Sequence, residues 1–179
     1  MHRLIHYRIV LTSMLAALIC VLTILVPIPI PATGGYANPG DGLILTCAFL
    51  LPPASALMAA GLGSALADLL IGYAVFAPGT FFIKGGMALI AALISHRFGN
   101  ENNRRTCLWV RLAASVAAEV FMVTGYFLYE SLCLGYGLSA MASVPLNLGQ
   151  GALGIVVSTL LLSLITRSRE LTALLDKAK

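Results

Sequence analysis

Charge is what this sequence has least of. Asp, Glu, Lys and Arg together make up 10% of its 179 residues, against roughly 25% in a soluble domain. Hydrophobic residues fill 59% of the chain. That leaves too little polar surface to wet the outside of a globule, so lipid must be the solvent. Catalytic motifs are missing as well. There is no G-x-x-x-x-G-K-[ST] phosphate loop, which excludes ATP hydrolysis by this chain alone. There is no H-E-x-x-H and no Ser/His/Asp set, which leaves little room for a membrane enzyme. No C-x-x-C occurs: Cys20, Cys47, Cys107 and Cys133 lie singly in apolar stretches, and His2, His6 and His96 lie in flanking segments. The cysteines read as small core residues, and neither a metal site nor a cofactor is expected.

The net charge of +4 does not point to nucleic acid, because no basic stripe lies on a soluble fold. Basic residues flanking membrane spans are retained on the cytoplasmic side and give the same balance. No linker, low-complexity segment, internal repeat or second domain interrupts residues 1–179, so one transmembrane domain is expected. The N-terminus has a basic start, Met1 to Arg8, and an apolar run. The run is too long for a signal h-region and lacks a clean small-x-small cleavage site, so it reads as a first membrane helix.

A helix needs about 20 apolar residues to cross the hydrocarbon core. The pattern predicts an all-α integral membrane protein of six transmembrane helices, at about 9–26, 42–51, 54–71, 80–95, 107–132 and 145–165. The first ends at Pro27, Pro29 and Pro31, which cannot continue a helix, and a Gly-rich loop follows. The second is short for a span, so it is tilted or packed inside the bundle. The tail from Thr166 to Lys179 reads as a short surface helix. Arg3 and Arg8 precede the first helix. Arg97, Arg104, Arg105 and Arg111 flank the loop between the fourth and fifth. Arg167, Arg169, Lys177 and Lys179 follow the sixth, and the opposite loops hold no lysine or arginine. Both termini are therefore cytoplasmic by the positive-inside rule, in a multi-pass protein of a prokaryotic plasma membrane.

One basic residue breaks this pattern. Lys84 lies about one turn inside the fourth helix, where an unpaired lysine costs roughly 2.5–3.5 kcal/mol. Asp41, Asp68 and Glu130 fall at the same outer depth, with Tyr36, Asn38, Tyr126, Asn147 and Gln150; Glu119 lies deeper. Any one pair among them can be purely structural, a salt bridge or an amide tie between helices. Asp41 also reads as a helix N-cap, and Tyr73 as an interfacial anchor. As a group, polar side chains from five helices gather at one depth, while the inner half has almost none. That is the pattern of a cavity open to the outside, and its mix of aromatic and polar residues suits a flat, polar, ring-containing ligand. On the first helix, Ser13, Ala16, Ala17 and Cys20 form small-x-x-x-small pairs that let helices approach closely. They serve either bundle packing or an external partner helix.

Three stretches carry a resemblance: G-G-Y-A-N-P-G-D (34–41), G-L-G-S-A-L-A-D-L-L-I-G-Y (61–73) and A-P-G-T-F-F-I-K-G (77–85). With E-V-F-M-V-T-G-Y-F-L-Y-E (119–130) and N-L-G-Q (147–150), the chain resembles the substrate-binding (S) components of energy-coupling factor (ECF) vitamin transporters over nearly its whole length. Pro39 departs from the leucine common there. The resemblance implies six helices that bind a vitamin or precursor near the outer face under a lid formed by the first loop. It implies that Ser13, Ala17 and their neighbours face a transmembrane coupling subunit driven by two cytoplasmic ATPases. The S component then topples in the membrane to release its ligand inside. The helix 3 and helix 4 motifs look closest to members assigned to hydroxymethylpyrimidine or pyridoxine-like compounds, with riboflavin as the alternative. Without the resemblance, a self-sufficient carrier or channel remains the competing reading, although a secondary transporter usually consists of two related repeats.

Overall fold

The computed structural model describes residues 2–31, 33–99 and 104–168. The expected tail helix falls largely outside them, as do Arg169, Lys177 and Lys179. Helix α1 (His2–Leu25) leads into a two-stranded antiparallel ribbon, β1 (Ile28–Ile30) and β2 (Gly35–Ala37). Then come α2 (Asp41–Leu50), α3 (Pro53–Leu70), α4 (Ala77–Phe98), α5 (Arg104–Leu128) and α6 (Val144–Ile165). A π turn, Tyr129–Cys133, and a 3-10 segment, Gly137–Ser143, connect α5 to α6.

Prolines set most of the boundaries. Pro53, Pro78 and Pro145 occupy the first turns of α3, α4 and α6, where a missing N–H costs nothing. The ribbon replaces the expected Gly-rich loop. Its register pairs Ile28 with Ala37, Pro29 with Tyr36 and Ile30 with Gly35. Both strands of a two-stranded ribbon are edges, so Pro29 is tolerated. Gly34 turns the chain at φ +63°, a conformation that favours glycine.

Five of the helical segments are long and apolar enough to cross a bilayer. α2 is not: its 10 residues reach about 15 Å at 1.5 Å per residue. Its contacts explain how it still completes a crossing. At its start Asp41 pairs with Lys84, already seven residues inside α4, and at its end the Leu51 carbonyl lies 3.3 Å from His96 Nε2 near the inner end of α4. α2 therefore covers roughly the inner half of the bundle, and the ribbon lies above it. Apart from α2, the spans are longer than the sequence bounds at one or both ends, because helices continue past the hydrocarbon core.

α4 packs between α3 and α5, α2 lies against α6 and α4, and α1 rests on α3 at the edge of the bundle. Alanines dominate the inner core: Ala48, Ala56, Ala59, Ala60, Ala88, Ala91, Ala92, Ala114 and Ala118. Small side chains let membrane helices approach closely, which is how they gain dispersion energy without a hydrophobic drive. The small-residue stripe of α1 divides in two, and this corrects its reading as one partner face. Ala16 turns inward and meets Gly63 so closely that a side-chain carbon there would strike its carbonyl. Cys20 is buried. Ser13 and Ala17 stay exposed, among Val10, Met14, Leu18 and Val21.

Candidate ligand-binding site

A cavity opens in the outer half of the bundle beneath the ribbon. It measures about 410 Å³, mouth included. Its floor is built around Lys84, which is 2% exposed. The ammonium pairs with Asp41 Oδ1 and lies 5.4 Å from the centre of the Tyr126 ring, within range of a cation–π attraction. Asp41 is the first residue of α2 and makes no capping bond, so its N-cap reading is set aside. Its second oxygen accepts from Gln150 Nε2 at 2.5 Å. Gln150 Oε1 accepts from the Asn38 backbone N–H at 2.7 Å. One chain of bonds thus runs from α4 through α2 and α6 to the segment after β2. Asn38 itself is pinned by accepting from Gly40 N–H at 2.8 Å.

The roof is aromatic. Tyr36, Tyr73 and Phe76 pack at an angle to one another, with successive ring centres 4.6 and 6.3 Å apart. Tyr36 donates its hydroxyl to Asp68 Oδ1 on α3. Burial, and the Asp68 carboxylate beside it, hold that hydroxyl above the usual tyrosine range, so Tyr36 keeps its proton and remains the donor. At the wall formed by α5, the π turn widens the helix at Glu130, a device common where a helix serves a site. Glu130 accepts from Ser143 Oγ at 2.6 Å, and Tyr126 shares a 3.1 Å bond with Thr80.

A sequence profile described as ECF-type riboflavin transporter, S component, matches residues 4–167. The chain belongs to this family. It is a vitamin-binding subunit of a transporter and a multi-pass protein of the prokaryotic plasma membrane. A protein of Pyrococcus woesei described as "Uncharacterized protein in gap 3'region" is 37% identical over 139 residues, covering 78% of this chain and 88% of that protein.

Eight residues singled out from the sequence line the cavity of this S component: Tyr36, Asn38, Asp68, Lys84, Tyr126, Glu130, Asn147 and Gln150. Three others do not. Asp41 stands directly behind the floor and holds Lys84 and Gln150. Tyr73 supports Tyr36 from outside and is half-buried, which makes it more than an interfacial anchor. Glu119 lies below Asp41, in a niche cleared by Gly151 and Gly154, and neither of its carboxylate oxygens has a hydrogen-bond partner among the described residues. Its place as a ligand contact is therefore corrected to a position beneath the floor. Thr23, Ser64, Phe76 and Thr80 also line the cavity and were not anticipated. Two of them were within reach: Ser64 and Thr80 each lie four residues before a singled-out residue, Asp68 and Lys84, on the same helix face. Thr23 carried no such signal, since it sits in a span that reads as wholly apolar.

Proposed function

We propose that this S component captures a single-ring polar heterocycle, hydroxymethylpyrimidine or a pyridoxine-like compound, from outside the cell. It acts as the recognition part of an ATP-driven importer, with a transmembrane coupling subunit and two cytoplasmic ATPases. The chemistry of the cavity lining carries the reading. Only Phe76 and the two tyrosine rings offer apolar surface among its lining residues. A single ring bearing hydroxyl or amino groups suits such a wall better than a three-ring flavin, whose dimethylbenzene end needs an apolar slot. The face of α1 around Ser13 and Ala17 supports a helix–helix contact with the coupling subunit, because it stays exposed among the described residues.

Riboflavin is the second reading, favoured by the family's description. Titration calorimetry on the chain in nanodiscs separates the two. Hydroxymethylpyrimidine or pyridoxine should bind at least about tenfold more tightly than riboflavin, a difference of roughly 1.4 kcal/mol. Tighter binding of riboflavin would reverse the order, and binding of none would remove the proposal. Uptake into liposomes by this chain alone, without ATPases, would instead make it a self-sufficient carrier.

A further inference from the structure

Two polar atoms of the cavity wall are buried and have no hydrogen-bond partner among the described residues: Ser64 Oγ and Asp68 Oδ2. Both residues line the cavity, and Ser64 and Asp68 are 2% and 1% exposed. They lie four apart on α3, so they stand one above the other on one face. Buried polar atoms without partners are costly and rare in native proteins. Tyr36 of β2 takes Oδ1, and the nearby Thr80 hydroxyl shares a 3.1 Å bond with Tyr126 in which either group can donate. Oδ2 is an acceptor only, and Ser64 can donate. Resting on the reading of a heterocycle in this cavity, we infer that Ser64 and Asp68 form the specificity edge of the site. They select a ring that presents an N–H donor next to a ring acceptor.

In this arrangement Asp68 Oδ2 accepts from the ligand N–H, and Ser64 donates to the adjacent ring nitrogen or carbonyl. An aminopyrimidine presents that edge as an amino group beside a ring nitrogen, and a flavin presents it as an imide N–H beside a carbonyl. The scarcity of apolar lining residues favours the first source. Tyr36 ties the same carboxylate to the ribbon, so closing the roof and reading the donor edge use opposite oxygens of one residue. A ring without the N–H leaves Oδ2 buried and unmatched, and a site built to pair with a donor strongly rejects such an analogue.

The experiment measures affinity in nanodiscs for four probes. These are 4-amino-5-hydroxymethyl-2-methylpyrimidine, its analogue with hydrogen in place of the amino group, riboflavin, and N3-methylriboflavin. The wild type should prefer the amino compound over its analogue by about 10- to 100-fold, the range of a hydrogen bond to a charged group. Asp68→Asn should shrink that ratio to within about threefold. Ser64→Ala leaves the Tyr36–Asp68 bond in place and should melt like the wild type. It should bind the amino compound about fivefold more weakly, one ordinary hydrogen bond. If only the flavin pair is bound and discriminated, with the ratio again lost in Asp68→Asn, the edge is upheld and the single-ring reading falls. Equal wild-type affinity within both pairs, or an Asp68→Asn ratio like the wild type's, overturns the inference and leaves the heterocycle reading standing. Binding of no probe overturns the inference, and the heterocycle reading falls with it if pyridoxine is not bound either.

Discussion

Replacing Lys84 by methionine is expected to abolish ligand binding and to destabilise the protein at once. The methionine fills the same space but removes the partner of a carboxylate that is 0% exposed. Breaking a buried pair by removing one member costs about 3–5 kcal/mol, because the remaining charge is uncompensated. In a chain of this size that is a fall in melting temperature of roughly 10 °C. Gln150 still donates to Asp41 Oδ2, which moderates the loss without neutralising the charge. The cavity loses the one cation among its described lining residues, so affinity for the ligand should drop by about a hundredfold or more, or roughly 3 kcal/mol. The double variant Asp41→Leu/Lys84→Met separates the two effects. Exchanging a buried pair for apolar residues of similar volume is often neutral, so most of the melting temperature should return while binding stays lost. A Lys84→Met protein that melts and binds like the wild type would show that the pair carries neither role.

Gln150→Leu is expected to unfasten the roof. One side chain of α6 serves two partners that the fold brings from elsewhere: the Asn38 N–H after β2 and the Asp41 carboxylate opening α2. Leucine leaves both orphaned, and a buried donor or acceptor without a partner costs about 1–3 kcal/mol. Asn38 can recover its loss by letting the ribbon lift toward water, whereas Asp41 keeps Lys84. The opening should therefore concentrate in the ribbon. Hydrogen exchange followed by mass spectrometry should show residues 33–40 exchanging about 10- to 100-fold faster, with α3 and α4 unchanged. Ligand affinity should fall by a similar factor, because the ligand must now close the roof itself. Uniform acceleration across all helices would mean instead that Gln150 only supports the bundle.

Much of the architecture was legible in the sequence because the bilayer imposes it. Each long apolar run had to be a helix, and the placement of arginines gave the orientation. The ribbon was not legible, since Ile28–Ile30 and Gly35–Ala37 are three residues each and show no alternation to read. What makes them strands is the space left above a short α2. The site was legible in depth but not in direction. Lys84, Asp68, Asn147 and Gln150 stood out because polar groups are expensive in a membrane, and they do converge. Glu119 was equally conspicuous, yet it faces Gly151 and Gly154 below the floor, because helix rotation decides which polar groups meet and hydropathy does not report it. The stripe on α1 failed in the same way: Ala16 and Cys20 share its spacing with Ser13 and Ala17 but not their face.

Native mass spectrometry of the protein released from its own membranes, before any exchange of buffer ligands, tests most directly whether the outer cavity holds a small, single-ring heterocycle. A bound compound of hydroxymethylpyrimidine or pyridoxine type is expected on the wild type and should be absent from Lys84→Met. A flavin held in its place, or a compound retained equally by Lys84→Met, would contradict it.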